Sequence, residues 1–577
     1  MNKFLPTSRR EMQVLGWKQL DIIIISGDAY VDHPSFGPVI VARHLESQGF
    51  KVGIIAQPDW KTDKDFLELG KPRLFFGISS GNMDSMINHY TAQKKIRSED
   101  AYSPDGKSGL RPNRATIVYS QKVRALFKDS PIILGGVEAS LRRLPHYDFW
   151  SDKIRNSILF DAKADMLVYG MGERPITEIA QQLAEGKAVS DFTDIRGTVF
   201  ISKQNLGEIN LQKFAGTYSQ KEFWGLHDQF EKNHREKTLS LAFAGRYLIH
   251  NPPAKPLSSK EMDNLYNLPF TREPHPNYKN KKIPAFKQIK NSITSHRGCF
   301  GGCSFCTIGS HQGKTISSRS KTSILKEVKE ITHKDYFQGT ISDVGGPTAN
   351  MYGMSCKLNI SETCKRISCL YPQICPHLNT NHKAYRNMLK EVRANSNVKH
   401  AFISSGIRFD LGLLDEQFIK DLAEYHTGGL LKLAPEHKST KVLNYMNKPS
   451  FDLYEKFGKY FRTYSKQIGK KQYIVPYIIV GHPGATLQET IDLAIYLKKH
   501  KIKLEQIQEF TPTPMTDSTM MYYTGMDYKG NKLHIAKGRE MRLMKALAQW
   551  YISANKKLII EALKKAGKTN LIGYFLD

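Results

Sequence analysis

Three cysteines, Cys299, Cys303 and Cys306, stand in the glycine-rich run 295–307 with CxxxCxxC spacing, and an aromatic residue, Phe305, precedes the third. A loop this short brings three thiolates onto one small inorganic centre. A closed zinc site takes four ligands, and so does a closed iron–sulfur cluster. A trio therefore leaves one iron of a [4Fe–4S] cube without a protein ligand and open to another molecule. The other reading is a zinc knuckle that borrows a distant fourth ligand. The loop follows a candidate strand at 292–295, which places it at the C-terminal end of a βα unit, where barrels and open α/β sheets carry their chemistry.

At 577 residues with 40% hydrophobic residues, the chain exceeds a single core and is expected to form two or three globular domains. It contains no uninterrupted apolar run of membrane-spanning length, and residues 1–6 lack the apolar segment of a secretory signal. A cytoplasmic protein with reduced thiols and no membrane partner is expected. All seven cysteines fall between Cys299 and Cys375, which argues for metal chemistry and against a disulfide framework. The net charge of +29 fits either a polyanionic partner such as RNA or a generally lysine-rich composition.

Two βα series run along the chain. In the first, strands at 20–25, 52–56, 74–78, 131–134 and 166–169 alternate with helices at 39–48, 120–127 and 176–184, which implies a doubly wound parallel sheet. In the second, strands are expected at 292–295, 340–344, 401–404, 430–433, 473–480 and 505–510. Between them lies a Pro- and Lys-rich stretch, 251–290, whose prolines at 269, 274 and 276 exclude regular helix. Phe270 and Tyr278 are its candidate anchors. The expected domains are 1–190, an insertion and linker at 191–290, a core at 291–560 with a Cys-rich insert at 350–380, and a C-terminal tail at 561–577.

The insert holds Cys356, Cys364, Cys369 and Cys375 in the pattern Cx₇Cx₄Cx₅C. Four thiolates close either a zinc site or a second [4Fe–4S] cluster. The lack of CxxC pairs favours iron–sulfur over zinc, and buried unliganded cysteines are the third option.

The run around Cys299 resembles the CxxxCx(aromatic)C signature of radical S-adenosylmethionine (SAM) enzymes. That resemblance implies a partial (β/α)₆ barrel, a [4Fe–4S] cluster whose open iron binds SAM, and reductive cleavage of SAM to a 5′-deoxyadenosyl radical. It also implies an electron donor such as flavodoxin or ferredoxin. The turn 343–348 resembles the family's Gly-Gly turn, so Gly345 and Gly346 are expected to approach SAM through their backbone, with Pro347 where an acidic residue is frequent. The segments 435–438 and 442–448 resemble the methylthiotransferase-like branch. The strand 477–486 resembles that branch's fifth strand, with Gly481 and Gly484 beside SAM; Phe305 completes the expected cofactor-binding set.

The first half resembles a cobalamin-binding-like domain. The DxHxxG motif is not reproduced around His33, because Val31 and Phe36 stand where Asp and Gly belong; cobalamin is not expected. Over nearly its whole length the chain resembles the YgiQ-type radical SAM family, which supplies no substrate. Two other functions stay open: methylthiotransferase-like modification of RNA or protein, and a non-catalytic iron–sulfur redox role. Glu436, His437, His482 and Glu509 are expected near the mouth, without an assigned acid or base.

Overall fold

A computed structural model of the chain describes residues 4–576. The chain divides into two compact units, one running up to Lys290 with Ser310–Gly313, the other Asn291–Gly309 with everything from Lys314 onward.

In the first unit, the isoleucine run of Ile22–Ser26 is buried along its whole length, because a parallel strand covered on both faces has no polar side. It pairs in parallel with Val52–Ala56 on one edge and Phe75–Ser79 on the other, Ile24 facing Ile54 and Gly77. Ile132–Leu134 and Met166–Val168 continue the parallel series. The order second, first, third, fourth, fifth is that of a doubly wound sheet, and it reverses between the first and third strands.

Residues 191–290 do not form a separate insertion. Thr198–Ser202 pairs antiparallel with Met166–Val168, and Arg246–His250, Leu239–Phe243 and Ile209–Asn210 extend the same sheet to nine strands. The Pro-rich stretch is held against the first strand's loop: Arg272 N–H donates to Asp32 O at 2.8 Å and His275 N–H to Tyr30 O at 3.0 Å. Tyr278 anchors it by accepting from Tyr30 N–H at 3.3 Å.

In the second unit, Ser292–Thr294 pairs in parallel with Asp343–Gly345, and Thr340–Ile341 with His400–Ala401. A parallel bridge from Ile407 to Leu433 leads to Leu430–Glu436, which pairs with Tyr473–Val480, which pairs with Gln508–Glu509. The strands are thus neighbours in chain order, with helices such as Lys321–Thr332, Lys383–Ala394 and Leu487–Lys499 between them.

The C-terminal end is not a tail. Helices Gly538–Ala548, Lys556–Lys565 and Ile572–Leu576 share a core with Leu487–Lys499, in which Leu543, Leu547, Ala562, Leu563 and Phe575 pack on Ile491 and Ala494. Among the described residues no helix is long and apolar enough to cross a membrane.

Candidate metal centre

The cysteine loop starts where the first strand of the second unit ends. His296–Arg297 pairs antiparallel with Ser317–Ser318 and closes its neck. A Cβ at Gly301 would stand 3.3 Å from Cys299 Sγ and 3.9 Å from Cys303 Sγ, so both sulfurs flank that bare glycine. At Gly302 (φ +61) a Cβ would fall 2.7 Å from Ile367 O, so the turn admits only glycine.

The three sulfurs act on one another. Burial raises the Cys299 thiol, and the Cys303 sulfur adds to it. Cys306 is pushed up to about 12, first by burial and then by Cys303, with Cys299 and Glu436 contributing. Thiols in this state hold their protons until a metal ion displaces them.

Arg408 faces the loop. Its Nη1 donates to Cys303 Sγ at 3.6 Å, while Nε and Nη2 grip Asp410 at 2.9 and 2.6 Å. Both partners are buried; burial opposes their charges, and the pair outweighs it, raising Arg408 and lowering Asp410. Cys299 Sγ stands 3.7 Å from Thr348 Oγ1.

The far side of the loop is pinned by the segments after the later strands. Ser304 N–H donates to Met446 O at 3.1 Å, Ser304 Oγ donates to Tyr445 O at 2.6 Å, and Ser518 N–H donates to Ser304 O at 2.9 Å. Asn447 Nδ2 donates to Gly302 O at 3.2 Å. Phe305 lies edge-on to His482, with ring centroids 6.3 Å apart. Burial holds His482 down at about 3, so the ring is neutral, with Nδ1 donating to Pro483 O and Nε2 accepting from Ser518 Oγ at 2.6 Å.

The glycines expected at SAM have different surroundings. Gly345 O accepts from Ser295 N–H at 2.7 Å and faces Ser295 Oγ at 3.0 Å, so that carbonyl is committed to the strand pair. Gly346, Pro347 and Thr348 form the half-buried turn beyond it. A Cβ on Gly346 would strike the His296 ring at 2.6 Å. That ring is buried and held near 4, with Nε2 donating to Thr348 O at 3.1 Å. At Gly481 and Gly484 the bare faces are filled by the chain itself, Met541 Cε lying 2.2 Å and Tyr445 Cδ2 2.6 Å from a Cβ built there.

Of the four polar residues expected at the mouth, Glu436 carries the most tension. It adopts φ +66, a conformation that costs a non-glycine residue about 1 kcal/mol or more. Burial raises its carboxyl, and Lys448 Nζ stands 3.5 Å away. His437 is buried and held near 4, and Glu509 pairs with Lys545 at 3.2 Å. Arg408, Lys448, Tyr445 and Ser518 are participants that spacing did not single out. The Arg408–Asp410 pair just past the third strand was the available signal.

None of the seven cysteines is in a disulfide, and each is half-buried. Among the described residues no group of three or more His, Cys, Asp or Glu side chains meets at one point that could hold a single metal ion. Thiolates round one zinc ion stand about 3.8 Å apart, whereas each thiolate of an iron–sulfur cube takes its own iron.

In the first unit, the crevice where strand order reverses is filled by the chain's own charges. Arg111, 1% exposed, bridges Asp28 at 2.9 Å and Asp100 at 3.2 Å and donates to Ser80 O at 2.6 Å. His33 is fully buried, accepting from Ser35 N–H at Nδ1 and meeting Arg272 Nη2 at Nε2, 2.8 Å away.

Residues 293–497 match the Radical SAM superfamily, residues 4–292 the family described as Radical SAM N-terminal, and residues 505–575 a domain of unknown function, DUF3362. The α/β fold, the N-terminal domain and the cysteine loop define a radical SAM enzyme. The chain is 46% identical to the UPF0313 protein YgiQ of Escherichia coli (strain K12), covering 99% of this chain and 87% of that one. It is also 46% identical to a UPF0313 protein of Geobacter sulfurreducens, covering 98% and 96%. It belongs to the YgiQ-type radical SAM family. Among solved structures it resembles the radical SAM methyltransferase TsrM from Kitasatospora setae, with a TM-score of 0.51 and 14% identity over 93% of this chain and 89% of that one; this likeness is one of fold.

Proposed function

We propose that Cys299, Cys303 and Cys306 hold a [4Fe–4S] cluster with one iron open to SAM, at the mouth of a partial (β/α)₆ barrel formed by the six parallel strands of the second unit. The observation that carries this reading is the placement of the Cys299 and Cys303 sulfurs on either side of Gly301, with the Cys306 sulfur of the same loop close enough to feel both, beside the buried guanidinium of Arg408. Such a cluster supplies one electron, which breaks the C5′–S bond of SAM to give methionine and a 5′-deoxyadenosyl radical.

The chain's residues have separate tasks. Arg408 donates to Cys303 and offsets negative charge there. Ser304 and Asn447 fix the loop to its neighbours, so the thiols are pre-organised. The half-buried turn at Gly346 and Pro347, next to Thr348 and Cys299, is the surface best placed for the methionine end of SAM. Neutral His482 and His296 keep extra positive charge away from a cationic sulfonium.

The residues of the first unit do not suit His-ligated cobalamin. His33 is enclosed and engaged at both nitrogens, and the crevice beside it is closed by Arg111. In this reading His33 therefore has no role as a cobalt ligand.

The test is anaerobic reconstitution with iron and sulfide, followed by dithionite and SAM. The parent chain is expected to form 5′-deoxyadenosine, and C299A/C303A/C306A to form none while losing about four irons. Equal iron in parent and variant would overturn the assignment.

A further inference from the structure

The insert between the second and third strands of the second unit carries four thiols that the chemistry above does not use. Two of them, Cys369 and Cys375, pack on the same small apolar core, and Cys364 precedes them in the same loop. Cys375 N–H donates to Cys369 O at 2.8 Å, which folds the chain back so that these two cysteines sit side by side. Both pack against Phe300, Met351, Leu370 and Leu378. Cys356 is within reach of them, since its backbone is bridged to Leu378, and Leu378 N–H donates to Cys375 O at 3.0 Å.

Two cations serve this set. Lys314 Nζ donates to Cys364 O and, at 3.2 Å, to Arg366 O. Arg366 spans the loop, donating to Ser368 O at 3.1 Å and Gln373 O at 3.0 Å. Half-buried thiols gathered beside two cations, with no disulfide among them, suit an anionic thiolate-bound centre.

This insert is built onto the first cysteine loop. Cys369 N–H donates to Phe300 O at 3.0 Å, and Ser368 Oγ donates to Gly301 O at 2.7 Å. Two hydrogen bonds thus tie the second thiol set to residues lying between Cys299 and Cys303.

We infer that Cys364, Cys369 and Cys375, completed by Cys356, bind a second [4Fe–4S] cluster, held against the backbone of the first cysteine loop. Their C-x₄-C-x₅-C spacing, which contains no CxxC pair, sets them apart from a zinc knuckle. Four thiolates close this cluster, so it leaves no iron for SAM.

The experiment uses the full chain reconstituted anaerobically, with iron, acid-labile sulfide and zinc measured beside EPR of the dithionite-reduced protein with and without SAM. The parent is expected to hold about eight irons and eight sulfides. C364A/C369A is expected to hold about four, with an EPR signal that still changes on adding SAM. C299A/C303A/C306A is expected to hold about four, with a signal indifferent to SAM. Circular dichroism matching the parent checks that each variant is folded, and two independent variants guard against a misfolded one. A parent with only about four irons, a C364A/C369A chain that keeps the parent's iron, or zinc in place of iron would overturn the inference. Loss of the first cluster alone would show in the SAM-responsive signal, a separate readout.

Discussion

Arg408 Nη1 lies 3.6 Å from Cys303 Sγ, and the same guanidinium is clamped by Asp410 through two hydrogen bonds. The clamp fixes the direction of the third donor. The cationic edge of Arg408 is aimed at the Cys303 sulfur, one of the three proposed to hold the cluster, and is buried there with Asp410.

Removing that donor should make the cluster harder to reduce. A unit charge about 6 Å away at an effective dielectric of about 20 is worth roughly 3 kcal/mol, on the order of 100 mV for one electron. Arg408→Gln is therefore expected to move the cluster potential to more negative values by that order. EPR-monitored redox titration checks it, with Arg408→Lys expected to restore part of the shift; a potential equal to the parent's would rule the role out.

Gly346→Ala should destabilise the turn beside the first strand. The added methyl meets the His296 ring at 2.6 Å, and the ring is fixed by its bond to Thr348 O. Overpacking of this kind costs about 1–3 kcal/mol. Denaturant unfolding measures the loss, and a midpoint equal to the parent's would mean that His296 swings clear.

Acid should weaken the second unit before carboxylates titrate. Burial lowers His296 and His437 to about 4 and His482 to about 3. Because these folded values lie below the unfolded value near 6.5, the unfolded chain binds more protons as pH falls. Stability is therefore intact above about 6.5 and is lost down to 4 or 3, by about 1.4 kcal/mol per pH unit for each histidine. Melting temperatures from pH 7 to 4.5 should fall accordingly, and His437→Gln should remove one proton's worth of slope. A slope that His437→Gln leaves unaltered would mean His437 is charged in the fold.

Phe575→Ala should cost about 3 kcal/mol, the loss typical of a buried phenylalanine, because its ring closes the core made with Ile491 and Leu563. Thermal unfolding tests this. A loose tail would give no change at all.

The regular strands were legible because parallel strands buried on both faces read as apolar runs. Val52–Ala56 and Tyr473–Val480 fall where the pattern put them. The extension of the first sheet was hidden by its turn chemistry. Ala244 (φ 48) and Gly245 (φ 73) make a tight turn between Leu239–Phe243 and Arg246–His250, and alanine in a left-handed position gives no hairpin signal. The C-terminal helices were undervalued because Lys564 and Lys565 make their segment look solvated, while Ala562, Leu563 and Phe575 face the core.

At the site, the thiols were readable from spacing, but the close packing at the glycines was not. Whether a bare Cα faces a ligand or a neighbour such as Met541 depends on tertiary placement that no local pattern encodes. Arg408 was missed for a similar reason: its partner Cys303 is 105 residues away in the chain.

The contact between Tyr30 and Tyr278 spans 248 residues, and it has a consequence for synthesis. During translation the first unit cannot reach its native closure until Tyr278 has left the ribosome, a long wait for a sheet whose opening strands emerge early. The cysteine loop follows that point in the chain. The thiols at 299–306 therefore leave the ribosome only after Tyr278 has done so, and a nascent chain stalled short of residue 278 would present neither a finished first unit nor the cysteine loop.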